Sequence, residues 1–207
     1  MRGSEMKEQQ TSRYLKGKAT KKKIFAVAKE LILTKGYNKV TVDEICETCS
    51  LSKGAFYIHY KSKEDIVKKL YRDDFSEYME ENFGKYIHEH QDASPVDKVK
   101  SFMMVALEFP LIVGKEMTKL NLIVNLSLKS TEPSFFADCI EQELFVQAIS
   151  DGRSQSLFRN ELSVEEIVNY VYSFLSGAFV TWCLSDSTYD ISKASEKFVD
   201  SFIKGLQ

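Results

Sequence analysis

Apolar positions recur along this chain with a helical period, and strand-like alternation is nearly absent. Ile24, Phe25, Ala28, Leu31 and Ile32 share one face of a segment that predicts a helix over about 18–35, stopped by Gly36. Val42, Ile45, Cys46 and Cys49 predict a short helix over 42–49, followed by another over 53–59. A long helix is expected from about 63 to 90, with Ile66, Val67 and Leu70 inward. Asp92-Ala93-Ser94-Pro95 then breaks the chain, and Pro95 suits the first turn of the next helix. Further helices are expected near 96–112 and 115–129, divided around Pro110 and Gly114, and from Pro133 to Asp151-Gly152. Two more follow, from a Ser163 cap to about Leu184 and near 191–205. The expected fold class is all-α. Residues 1–17 are polar and expected to be partly disordered, and the opening MRGSEM can include a vector-derived leader before Met6.

The most informative run is TVDEICETCSLSKGAFYIHYKSK, residues 41–63. Thr41 stands as an N-cap with Glu44 at capping-box spacing. Ser50-Leu51-Ser52 interrupts the apolar pattern, and Ser52 caps the second short helix. Two short helices joined by a few residues, the second bearing Ser, Lys, Gly, Ala and Tyr, read as a helix-turn-helix. Charge divides in the same place. Residues 1–73 hold 17 Lys and Arg against 9 Asp and Glu, and the remainder 11 against 21, within an overall charge of −2. A basic third on an acidic body fits a nucleic-acid module.

Residues 18–73 resemble the N-terminal DNA-binding domain of TetR-family repressors. Ile24, Ala28, Gly36, Tyr37, Thr41, Ile45, Ser52, Lys53, Gly54, Phe56, Tyr57, His59, Tyr60 and Lys63 carry the resemblance. Ser50 stands where the family usually has glycine, and Cys46 and Cys49 where it usually has alanine. The organisation expected is an N-terminal segment over 1–17, a helix-turn-helix domain over 18–63 and an effector-binding and dimerisation domain over 64–207.

Candidate DNA contacts follow from the chemistry. Free N–H groups at the start of the 42–49 helix, with the Thr41 hydroxyl, suit a phosphate. Ser52 and Lys53 open the recognition helix, where a long cation reaches guanine acceptors or a phosphate. Gly54 and Ala55 lack bulk, and Ala55 can touch a thymine methyl. Tyr57 and His59 can donate to phosphates, and Lys63 adds a charge. Phe56 and Tyr60 are expected in the core. Lys21, Lys22 and Lys23 crowd a helix start whose dipole disfavours cations, which phosphate would compensate; a solvated charge run is the competing reading. Cys46 and Cys49 lack the two further ligands of a structural zinc site and read as small core residues.

In the remainder, Phe102, Met103, Ala106 and Phe109 form one stripe, and Phe136, Cys139, Ile140, Tyr170 and Phe174 are similar. Most such residues are ordinary core. The resemblance implies a cavity here for a small effector, expected to be hydrophobic or amphipathic; Asn121 and Asn125, four apart on an otherwise apolar helix, read as a ligand-facing wall because buried amides need partners. Val164, Ile167, Val168, Val171 and Leu175 line one face of the 163–184 helix, and Tyr172, Phe179 and Trp182 a second. Ile191, Phe198 and Phe202, then Val199, Ile203 and Leu206, do the same near 191–205. Two apolar faces argue for a homodimer through these helices, bound to a palindromic operator. The other reading is a DNA-tethered protein that binds a protein partner. With three histidines and no nucleophile motif or phosphate loop, no enzyme, cofactor or metal is expected. No apolar run approaches the ~20 residues of a membrane span and no secretory signal is visible, so a cytoplasmic protein without a membrane partner is expected.

Overall fold

The computed structural model describes residues 2–127, 140–186 and 189–207, with side chains over 15–126, 142–186 and 189–207. The described residues are helical throughout and contain no strand. They divide into two units, Met1–Leu70 and Tyr71–Gln207.

The first unit contains α1 (Arg2–Lys35), a 3-10 turn (Tyr37–Lys39), α2 (Val42–Cys49), α3 (Lys53–His59) and the start of α4 (Lys63–Met79). α1 starts at Arg2 and not near residue 18. The leading segment is polar, but Glu, Gln, Lys and Arg are also good helix formers and no proline interrupts them. Gly36 ends α1 at φ +83°. Thr41 caps α2 by accepting the Glu44 N–H at 3.1 Å. Ser50 ends α2 in the left-handed conformation at φ 53°, the place where glycine avoids a cost of roughly 1–2 kcal/mol. Ser52 caps α3 by accepting the Ala55 N–H at 3.2 Å. Ile24, Ala28, Ile45, Cys46, Cys49, Phe56, Tyr60, Ile66, Val67 and Leu70 are all buried. The start of α4 therefore belongs to this core, which carries the unit past the expected boundary at residue 63.

In the second unit, the long helix expected to residue 90 continues from α4 through a π-helical turn at Glu80–Gly84 into α5 (Lys85–Glu89). α6 (Pro95–Val113) is capped by Ser94, keeps Pro110 in its last turn and ends at Gly114, φ +85°. α7 (Lys115–Ser127), α8 (Ile140–Ser154), α9 (Val164–Leu184) and α10 (Ile191–Leu206) follow, and α6 packs against all four. The expected start of α8 at Pro133 lies outside the described residues. α8 runs on through Gly152 to Ser154, and Phe158, 1% exposed, lies against that glycine. Ser163 and Glu166 form a reciprocal capping box at the start of α9.

Two expectations change here. Tyr172, Phe179 and Trp182 are buried with Ile167, Val171 and Leu175, so they widen the core stripe of α9 and form no outward face. The outward row is instead Tyr170, Gly177, Val180 and Leu184, with Phe198 and Gly205 on α10. In addition, α9 is long and apolar enough to cross a membrane by length and composition. Its polar Asn169, Ser173, Ser176 and Thr181 break the apolar run without lowering the average enough to exclude a span.

Candidate nucleic-acid interface

The outward surface of α3 is built from its buried side. Phe56 is fully buried, and Tyr60 donates its hydroxyl to the Lys21 carbonyl of α1 at 3.3 Å. With those two rings inward, Lys53, Gly54, Tyr57 and Ile58 face solvent, while Ala55 and His59 are half-buried. A Cβ on Gly54 would meet nothing nearer than Ser52 Oγ at 3.8 Å, so this helix does not itself need a glycine there. Ile58, 79% exposed, was not among the expected contacts. Its signal is its place one turn after Gly54, on the face opposite Phe56 and Tyr60.

The cations are engaged to different degrees. Lys53 pairs with Asp43 of α2 at 2.7 Å, both side chains remaining more than half exposed. That hydrogen bond raises the Lys53 pKa above its ordinary value. Lys23 donates to the Cys49 carbonyl at 3.0 Å, capping the last turn of α2 from α1. Lys63 departs furthest from its expected role. Its ammonium donates to the Tyr37 and Val40 carbonyls, each at 2.7 Å, and lies 3.8 Å from the Tyr37 ring centre. Burial lowers its pKa. Lys63 therefore stitches α4 to the turn before α2 and does not project an exposed charge. Sequence position alone cannot distinguish these states, because a lysine at a helix start can reach outward or fold back onto carbonyls.

The Thr41 hydroxyl oxygen accepts the Glu44 N–H of the α2 cap, a role compatible with its O–H donating to a phosphate. Cys46 and Cys49 are buried free thiols whose pKa values are raised, chiefly by desolvation. Among the described residues no group of three His, Cys, Asp or Glu side chains is arranged to hold a metal.

In the second unit the expected effector residues do not gather around one space. Phe102, Met103, Ala106 and Phe109 are core, at most 1% exposed. The Phe102 ring stacks on Phe145 at 4.0 Å and meets Phe83 edge-on. Phe109 packs against Tyr71, Phe75 and Tyr78. Asn121 is 2% exposed, and Asn125 donates to its backbone and side-chain oxygens at 2.8 and 2.9 Å. The Asn125 amide thus donates to Asn121 along α7, beside the buried Thr118. Tyr170 is exposed, and Phe174 stacks on Phe198 and meets Phe202 at a tilt, both on α10. These two residues belong to the α9–α10 face: the 3.6-residue period places them off the α9 core stripe. Phe136 and Cys139 lie outside the described residues, as does the side chain of Ile140. Open concavities of about 590 Å³ (beside Ser185, Asp186 and Tyr189) and 410 Å³ (beside Gln142, Val146 and Val164) include none of the expected residues.

Residues 24–70 match the model for bacterial regulatory proteins of the tetR family. The fatty acid metabolism regulator protein of Bacillus subtilis is 20% identical over 188 residues, covering 88% of this chain and 93% of the relative. The HTH-type transcriptional regulator QacR of Staphylococcus aureus is 39% identical over 61 residues, 30% of this chain and 32% of QacR. The crystal structure of Thermus thermophilus FadR, a TetR-family repressor in complex with lauroyl-CoA, shares the fold with a TM-score of 0.69 at 19% identity, covering 90% of this chain and 95% of that one. Residues 24–70, which span the helix-turn-helix of α2 and α3, thus match a tetR-family DNA-binding domain, and over most of its length the chain is similar to TetR-type transcriptional regulators.

Proposed function

We propose that this chain represses transcription as a homodimer on a roughly palindromic operator in the cytoplasm, and that a hydrophobic small molecule releases it. The observation that carries the reading is the outward face of α3, where Lys53, Gly54, Tyr57 and Ile58 stand clear of the core in a strongly basic unit. A second copy docks on the outward row of α9 and α10. There Gly177 and Gly205 have open space where a Cβ would stand, which lets two helices approach closely. Two heads would then meet major-groove sites about 34–36 Å apart, or a multiple of that. The fatty acid regulator and the lauroyl-CoA complex among the relatives make a fatty acyl-CoA the effector to test first. The packed rings around Phe102 and Phe109 would part to admit it. α4, shared by both units, would carry the coupling, typically ~1–3 kcal/mol.

Selection of bound duplexes from a random pool, followed by footprinting, tests the DNA reading. A two-fold symmetric footprint is expected, and protection of a single half-site by a monomer would sink it. Titration with lauroyl-CoA then tests release. The second reading, a DNA-bound protein that recruits a protein partner, draws on the closed core and on exposed Leu111, Ile112, Ile123 and Leu126 of α6 and α7. Undiminished DNA binding across an acyl-CoA series, with a protein captured through the Ile123 face, would favour it.

A further inference from the structure

We infer that Ile58 reads a thymine methyl group in the operator, making it a sequence-specificity residue of α3. This deepens the DNA-binding reading above and rests on it. Ile58 is the most exposed large apolar side chain among the described residues of the first unit. It contributes little to the core, whose aromatic anchors on α3 are Phe56 and Tyr60. Nor does helix propensity favour it, since a β-branched residue loses χ1 freedom in a helix. An exposed isoleucine on a seven-residue helix thus carries a propensity cost that a lysine or glutamine would avoid, with no burial to offset it.

The neighbours narrow what would cover it. Gly54 lies one turn earlier on the same side, and a Cβ there would meet only Ser52 Oγ at 3.8 Å. The Gly54–Ile58 row therefore offers no side-chain hydrogen bond, whereas the adjacent Lys53–Tyr57 row is polar. Donors and acceptors fill most of each major-groove base edge, and the apolar group there is the C5 methyl of thymine. A row with no polar side chain, flanked by a cation and a phenol in a unit holding 16 basic residues up to position 70, fits that methyl better than any polar edge. The glycine lets the helix approach closely enough for the isoleucine to reach it.

The experiment uses the full chain and the operator selected above. Each thymine is replaced in turn by deoxyuridine, which removes the methyl and leaves every hydrogen-bonding group in place. Affinities of the wild type, Ile58→Val and Ile58→Ala are read by fluorescence anisotropy. At one symmetric position, uracil should weaken wild-type binding about three- to fivefold per half-site, on the order of one buried methyl or methylene. Ile58→Ala should bind the thymine and uracil duplexes equally, and Ile58→Val should keep part of the discrimination. Circular dichroism and affinity for random DNA should stay at wild-type values. If every uracil is neutral for the wild type, or Ile58→Ala still discriminates, the inference is overturned while the operator reading stands. If no duplex is selected at all, the operator reading falls and takes this inference with it.

Discussion

The Lys53 ammonium lies 2.7 Å from an Asp43 carboxylate oxygen, so the first residue of the recognition helix is held by an acid from the first turn of α2. This acid sits beside the N–H groups that favour a phosphate. On the DNA-binding reading proposed above, a DNA phosphate and Asp43 would compete for one cation. Asp43→Asn should raise affinity for DNA of any sequence, roughly three- to tenfold at low salt, and steepen its salt dependence. Thermal stability should barely change, because the pair is largely solvated. Titrations at several salt concentrations decide the matter. A loss of affinity would mean that Asp43 instead positions Lys53 for its contact.

Lys63 gives the opposite prediction. Its ammonium is committed to the Tyr37 and Val40 carbonyls, so Lys63→Ala should destabilise the protein by roughly 1–3 kcal/mol through two lost charged hydrogen bonds. The slope of log affinity against log salt should stay at the wild-type value. A slope reduced by about one unit without loss of stability would return Lys63 to the phosphate contacts.

Acid and base both act on the same corner. Tyr37 donates its hydroxyl to Glu64, and that hydrogen bond holds the Glu64 carboxyl below its ordinary value of 4.5. A carboxylate depressed in the folded state stabilises the fold above its unfolded pKa, and the gain is lost as pH falls through the folded value. Burial, aided by Glu64, raises the Tyr37 phenol above its ordinary 10.0, so its contribution is present below pH 10 and lost as pH climbs further. Melting temperatures should therefore decline below about pH 4.5 and above pH 10. Tyr37→Phe should flatten both limbs, and an unchanged acid limb in that variant would remove Glu64 from the account.

Two glycines separate packing within one chain from packing between copies. A Cβ on Gly152 would stand 2.6 Å from Phe158 Cδ2 and 3.2 Å from Pro95 Cβ, so Gly152→Ala should cost roughly 1–3 kcal/mol. A Cβ on Gly177 meets nothing within 4 Å. Gly177→Arg should leave the single chain folded yet lower the mass seen by sedimentation to that of a monomer. A dimer that survives this change would move the proposed interface elsewhere.

The helix-turn-helix was legible to the residue, because caps and breakers are local chemistry: Thr41, Ser50 and Ser52 set the ends of α2 and α3 unaided. The buried Phe56 and Tyr60 followed from spacing alone. The outward face was only partly legible. Gly54 and Tyr57 are legible from their chemistry and place on the second short helix, whereas an outward Ile58 is not, because an apolar residue in a helix usually faces the core. The inward turn of Lys63 is not legible, since its partners are backbone oxygens that leave no trace in side-chain spacing. In the second unit, periodicity located the helices but not their partners. Ring-on-ring contacts such as Phe102 with Phe145 arise from residues far apart in the chain. A solid core and the lining of a cavity share one sequence pattern.

The two buried thiols of α2 make this protein its own clock. Cys46 and Cys49 are at most 5% exposed, and burial pushes both thiols above their ordinary pKa, so thiol reagents find little thiolate and no path while the unit is closed. Alkylation at these positions must wait for α2 to open. In a variant lacking the other two cysteines, the labelling rate then reports how often the DNA-reading unit unfolds locally. DNA held across α2 and α3 should slow that clock without touching either sulfur.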